Sequence, residues 1–354
     1  MHIKTDIKLD FDDVLLCPKI SGLVSRRSVN ITRNLTMIHS GRIHSGIPIM
    51  ASNMDGVGTF SMAMELQKHD MYTAIRKHYT PDEWDTAIDN GLDLSRVAVC
   101  TGSNAIHDPD AQDYATVKAI MERHPDVEMI CIDVANGYQR NFLKFVSRVR
   151  KEFPDKTIMA GNVVTPEITG ELIHAGADII KVGIGPGSAC TTRIVTGVGY
   201  PQLSAVMECA EAAHGIKGMV VADGGCRTPG DVVKALAAGA DFVMLGGMLA
   251  GHAECEEQIV RLANEKNVVR FYGMSSDDAM EKHGTRKDGY RSSEGKAVYL
   301  PFRGPAKNTV VEVLGGVRSA CTYLGAVNLK EISKRATFVR VTTTHNRVFD
   351  QYNV

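Results

Sequence analysis

The sequence predicts an α/β fold in the form of a closed (β/α)8 barrel, and three observations carry that expectation. From about residue 47 one unit recurs: a short apolar run, a Gly-rich or polar loop, then an amphipathic segment. The apolar runs number eight. The length of 354 residues fits one barrel of about 250 residues with extensions. Strands that alternate with helices are joined by crossovers and so run parallel. A doubly wound open sheet is the structural alternative.

The expected strands, in order, are Ile47–Ala51, Tyr72–Ile75, Val97–Cys100, Glu128–Val134, Thr157–Ala160, Ile179–Val182, Met219–Ala222 and Phe242–Leu245. Each is rich in Val, Ile, Met or Ala and is short enough for a strand buried on both faces. Helices are expected near 58–69, 81–90, 110–124, 139–152, 166–175, 201–213 and 228–238, with the last around 308–325. Pro81, Pro166, Pro201 and Pro229 fall where a first helical turn would begin, a position that tolerates proline. Two segments stand outside the repeat. Residues 1–46 form an N-terminal extension. Residues 264–306 are polar and Gly-rich, as expected of a mobile lid or binding loop after strand eight. The whole chain, 1–354, is thus expected to be a single catalytic barrel domain.

Composition narrows the function classes. The chain has 40 basic and 41 acidic residues, a net charge of −1, and therefore lacks the basic excess of a generic nucleic-acid binder. No apolar run approaches the roughly 18 residues of a membrane span, and the acidic N-terminus lacks the apolar core of a signal peptide. A cytoplasmic location is expected. The eight cysteines include no C-x-x-C pair, so reduced thiols are expected, most of them buried.

In a barrel the active site lies at the C-terminal ends of the strands. Here those ends carry small and polar residues: Asn53-Met54-Asp55-Gly56, Arg76-Lys77-His78, Asp133-Val134-Ala135, Gly161-Asn162, the run Gly183 to Arg193, Asp223-Gly224-Gly225 and Gly246-Gly247. In the strand-six loop, Gly183, Gly185 and Gly187 let the backbone fold tightly, and such a concavity can hold an ion. Cys190 sits at its tip near Arg193, a setting that favours a thiolate nucleophile. The Gly pairs after strands seven and eight mark the usual phosphate site of barrels. Asp223 is suited to a ribose diol. Together these features suggest a nucleotide modified at its base. Ser25-Arg26-Arg27 and Lys77-His78 are candidates for a second phosphate-bearing ligand, and Glu294 is a candidate acid–base group.

The run Lys181 to Arg193 resembles the catalytic loop shared by IMP dehydrogenases and GMP reductases. The segments Thr196–Gln202, Met159–Thr165, Phe271–Ser276 and Arg291–Gly295 resemble the reductase branch, and the resemblance covers essentially the whole chain. The paired-repeat domain that dehydrogenases typically carry after strand two is missing, because Lys77-His78-Tyr79 runs directly into a helix. Tyr290-Arg291 stands in the opposite order to the dehydrogenases' water-activating Arg-Tyr pair.

The resemblance implies NADPH-dependent reductive deamination of GMP to IMP and ammonia, within purine salvage. It implies catalysis by Cys190, Thr192 and Glu294 through a cysteine thioimidate. It implies GMP contacts at Ser188, Asp223, Gly224, Gly225, Gly246, Gly247, Tyr272, Gly273, Met274, Arg291, Ser292, Ser293, Glu294 and Gly295. It implies NADPH contacts at Ser25, Arg26, Lys77, Asp133, Val134, Ala135, Ile184, Gly185, Met274, Tyr290, Arg291, Ser319, Ala320, Cys321 and Thr322. Carbonyls of Gly185, Gly187, Cys190 and Arg193 correspond to a potassium site. A homotetramer is implied as well, with Ser319–Thr322 reaching a neighbouring subunit. Ala189 and Ala320 depart from the usual family residues at backbone-only positions. The alternatives are an IMP dehydrogenase making XMP with NAD and a non-catalytic purine-sensing barrel, which would lack the nucleophile or the acid–base group.

Overall fold

The computed structural model describes residues 3–102, 111–262, 266–283 and 292–344. Eight parallel strands close into a barrel in sequence order: β1 (Ile49–Ala51), β2 (Tyr72–Ala74), β3 (Val97–Thr101), β4 (Met129–Asp133), β5 (Thr157–Val163), β6 (Ile179–Val182), β7 (Met219–Asp223) and β8 (Phe242–Leu245). Closure is completed by β8 against β1, where Val243 lies opposite Ile49 and Leu245 opposite Ala51. The open-sheet alternative is thereby excluded. Each strand falls where its apolar run predicts, with ends displaced by at most three residues.

The helices are α1 (Phe60–Gln67), α2 (Pro81–Asp89), α3 (Gln112–Arg123), α4 (Arg140–Glu152), α5 (Pro166–His174), α6 (Gln202–Gly215), α7 (Pro229–Ala237) and α8 (Ala306–Leu324). Their starts have local causes. Thr80 and Thr228 form capping boxes with Glu83 and Asp231, each followed by proline in the first turn. Pro201 differs from the expectation: it is the N-cap of α6, with extended backbone at ψ 126°, one position before the first turn.

Alternation along the strands divides the core into two layers. Met50, Tyr72, Cys100, Met129, Cys131, Met159 and Phe242 fill the barrel interior. Their neighbours, such as Ile49, Ile130, Ile158 and Ile180, pack outward against the helices. The N-terminal extension supplies the floor. A hairpin of Arg33–Thr36 and Ile43–Gly46 sends Leu35 and Met37 into the interior cluster. Earlier residues run along the outside, where Val14–Leu16 pairs antiparallel with Phe338–Arg340.

The polar segment after β8 is more structured than its composition suggests. Ile259–Arg261, Asn267–Tyr272 and Ala297–Pro301 form a three-stranded antiparallel sheet, joined by a short helix, Asp277–Lys282, that Ser276 caps. Backbone pairing, which polar residues can supply as well as apolar ones, holds this insertion together. No helix among the described residues is long and apolar enough to cross a membrane.

Candidate active site

The site forms where the insertion meets the C-terminal rim of the barrel. A cavity of about 250 Å³ lies there, widening into open solvent at its mouth.

Cys190 stands at its edge, half-buried, at the tip of the β6 loop. Its thiol donates to Thr192 Oγ1 at 3.2 Å, and the Thr192 hydroxyl donates to Glu294 Oε2 at 2.8 Å. Thiol, hydroxyl and carboxylate thus form one directed chain. The insertion is fixed over the loop by backbone bonds: Thr191 N–H donates to Glu294 O (2.9 Å), and Lys296 N–H donates to Ala189 O (2.9 Å). Glu294 N–H in turn donates to Ser275 O at 3.0 Å. Burial pushes Cys209 up to about 12 and Cys255 and Cys321 up to about 11, so they stay protonated at neutral pH.

The glycines around the cavity have steric causes. Gly224 and Gly225 have φ of 88° and 89°, in the left-handed region. A Cβ on Gly247 would strike the Ser188 hydroxyl. The β7 and β8 loops therefore crowd against the β6 loop, bringing Ser188, Gly224, Gly225, Gly246 and Gly247 together along the wall. Buried Ser52 Oγ and Asn162 Oδ1, on residues that also line the cavity, have no protein partner among the described residues. Buried polar atoms without a partner are rare in folded proteins, and here they are what a polar ligand would satisfy.

Beneath the cavity lies a charged network that the sequence analysis did not anticipate. Lys181, 1% exposed, points its ammonium at Asp133 Oδ1 (2.6 Å), Asp223 Oδ2 (3.4 Å) and Asn53 Oδ1 (3.5 Å). Burial opposes this charge, but the two carboxylates outweigh it and hold Lys181 well above its usual range. Burial likewise opposes the Asp133 charge, and the ammonium holds that carboxyl below the usual carboxylate range. Asn53 donates to Asp133 and Asn162 donates to Asp223, each at 2.8 Å. A charged residue within the apolar run Ile179–Val182 was the available signal.

The N-terminal extension also reaches the site. Asp10 pairs with Arg193 (2.9 Å) and accepts from Gln202 N–H (2.5 Å). The Arg193 stem fills the space beside Gly185 and Gly199. Among the described residues, the carbonyls of Gly185 and Cys190 accept no backbone hydrogen bond, while Gly187 O accepts from Cys190 N–H at 3.0 Å. Two free carbonyls on one tight loop suit a weakly hydrated cation.

The remaining candidates divide by location. Asp133, Val134, Ala135, Ile184, Gly185, Gly273 and Met274 line the cavity. Lys77 lies near that rim, 3.9 Å from Asp113. Ser25 and Arg26 begin a short turn that packs against α8, whose last turns carry Ser319, Ala320, Cys321 and Thr322. None of these six lines the cavity. Tyr272 directs its hydroxyl to Asp55 at 2.9 Å. Ser292 and Ser293 lead into Glu294, and Gly295 pairs with Cys190 across an isolated antiparallel bridge. Tyr290 and Arg291 lie outside the described residues.

The profile of the IMP dehydrogenase / GMP reductase domain matches residues 8–347. The chain is 55% identical over 349 residues to human GMP reductase 1, covering 98% of this chain and 99% of that protein. It is 56% identical over 352 residues to a GMP reductase of Escherichia coli K12, covering 99% of each. By these matches over nearly its whole length, the chain belongs to the IMP dehydrogenase/GMP reductase family.

Proposed function

We propose that the protein is an NADPH-dependent GMP reductase that converts GMP to IMP and ammonia through a covalent intermediate on Cys190. The observation that carries this reading is the directed chain from the Cys190 thiol through Thr192 to Glu294. Thr192 takes the thiol proton as it passes its own to Glu294, leaving a thiolate to attack C2 of the guanine ring. The return of that proton along the same chain lets the C2 amine depart as ammonia, with a thioimidate bond from Cys190 to C2. The thiol proton thus leaves with the amine, and no other acid is needed at this step. When bound, NADPH supplies the hydride that reduces C2. The C–S bond then breaks, IMP is formed, and the thiolate regains a proton from solvent. Splitting one displacement into two steps is the advantage of covalent catalysis.

Ser188 and the Gly224-Gly225 and Gly246-Gly247 turns suit the GMP phosphate. Asp223 Oδ1, which has no protein partner among the described residues, suits the ribose diol. Asp133, Val134, Ala135, Ile184 and Met274 are the NADPH-facing wall under this reading. Ser25 and Arg26 lie with Ser319–Thr322 and do not line this cavity, so under this reading they serve the cofactor of a neighbouring subunit in a homotetramer. Potassium is held by the carbonyls of Gly185, Gly187, Cys190 and Arg193.

The test is to follow NADPH absorbance with GMP and identify IMP as product, with NADH as the comparison. Consumption of NADPH with IMP formation, lost in Cys190→Ala while GMP still binds, is the expected result. Formation of XMP from IMP and NAD without GMP reduction would assign the protein to the other branch.

A further inference from the structure

Asp55, in the loop after β1, is 1% exposed, and its carboxylate faces Tyr272 and His283 of the insertion. Its Oδ2 meets His283 Nε2 at 2.6 Å and accepts from the Tyr272 hydroxyl at 2.9 Å. Lys282 lies 3.8 Å from the same oxygen and donates to the Tyr272 hydroxyl at 2.9 Å. The main chain of Asp55 contributes as well: its carbonyl accepts from Arg76 at 2.9 Å, and its N–H faces Met274 Sδ at 3.4 Å. From the β2 loop, the His78 ring stacks on His283 with centroids 3.4 Å apart and planes within 9°.

Among the described residues, two of the ties between the insertion and the rim lie beside the cavity. One is the backbone pairing around Cys190. The other is Asp55, and the stretch Tyr272–Met274 runs between them. Gly273 N–H donates to Lys296 O, and Met274 lines the cavity. Asp55 Oδ1 is buried with no partner among the described residues. Such a group costs stability, which the contacts made by the other oxygen must offset. Burial opposes the Asp55 charge, but the His283 hydrogen bond outweighs it and holds the carboxyl below its usual range.

Asp55, His78 and His283 also bring one ligand atom each within 4.8 Å of one another. A metal ion lies in the plane of each imidazole that binds it. Two parallel rings 3.4 Å apart send their in-plane lone pairs along parallel lines, not to one ion. The stack therefore suits a direct carboxylate–imidazole clasp backed by a second ring.

We propose that Asp55 is a positioning residue for the reaction: with Tyr272 and His283 it clasps the insertion to the barrel rim and so holds Met274 and Glu294 over the cavity. The kinetic part of this inference rests on the GMP reductase reading. The structural part does not.

The experiment uses the full chain with Asp55→Asn, Tyr272→Phe, His283→Gln and His283→Ala. Hydrogen–deuterium exchange should rise at Thr191 and Lys296 in Asp55→Asn and His283→Ala, while β4 amides keep wild-type protection. Rapid-quench rates for deamination and for hydride transfer should fall together, by about 10–100-fold, because misplacing an element affects both steps. His283→Gln, whose amide can still donate, should recover part of that loss. Asp55→Asn and His283→Ala combined should cost less than the sum of the two. If Asp55→Asn does not fold, Tyr272→Phe and the His283 pair carry the test. Wild-type exchange at Thr191 and Lys296 in these variants overturns the clasp whether or not the enzyme reduces GMP. A stoichiometric divalent metal, lost on His78→Asn, would also overturn it. Absence of GMP reduction in the wild type, with exchange altered in the variants, would reject the reading of function alone.

Discussion

Glu294→Gln separates a proton relay from mere support. The substitution keeps the shape: the amide oxygen can still accept from Thr192, now at 2.8 Å from the carboxylate. The backbone bonds of residue 294 to Ser275 and Thr191 are untouched. What is lost is the capacity to hold a proton. Exchanging a charged acceptor for a neutral one costs about 1 kcal/mol in that hydrogen bond, roughly a fivefold effect on any step that needs only positioning. Loss of general acid–base help costs about 10²–10⁴ in rate, or about 3–5 kcal/mol. Deamination needs the proton, because an amine is a poor leaving group until protonated. Hydride transfer expels a thiolate, which needs none. In Glu294→Gln, rapid-quench measurement should therefore show deamination of GMP falling by about 10²–10⁴. Formation of the covalent intermediate from IMP and NADP+, in which the thiol proton goes to solvent by the reverse of the last step, should fall less than about tenfold. Equal loss in both half-reactions would refute the relay and leave Glu294 as a prop for the insertion.

Other expectations concern the scaffold and the ion. Lys181→Met leaves the partly exposed Asp133 and Asp223 carboxylates without their buried cation and should cost about 1–3 kcal/mol in denaturant unfolding, part of which a second change, Asp133→Asn, should restore. Rates should be higher in potassium than in lithium at matched ionic strength, and identical rates would mean that the β6 loop is ordered without an ion. His44, beneath the barrel, is pushed from 6.5 down to about 4 by burial, with the Arg42 charge adding to it. The neutral ring is thus favoured in the folded state: its stabilisation is complete above pH 6.5 and is lost as pH falls toward 4. That loss is worth about 3 kcal/mol, so His44→Gln should flatten the stability profile of urea unfolding between those pH values.

The sequence by itself determined the barrel and its chemistry-bearing loops. Eight buried strands must be apolar throughout, and the glycines at their ends answer to local backbone demands, so both leave marks within a few residues of one another. Cys190 and the Gly224-Gly225 and Gly246-Gly247 pairs were singled out in this way. The resemblance to a family added Thr192 and joined Glu294 to Cys190, which spacing alone did not. Only the tertiary structure decided which residues far apart in the chain meet: Glu294 against Thr192, Lys181 between Asp133 and Asp223, Asp10 against Arg193, and Asp55 against His283. A polar residue on a loop looks the same in sequence whether it faces water or another element. The insertion shows the same limit, since its sheet is made by backbone hydrogen bonds that composition does not record. Strand periodicity is a local property of the chain, whereas the partner of a buried charge is set by barrel closure.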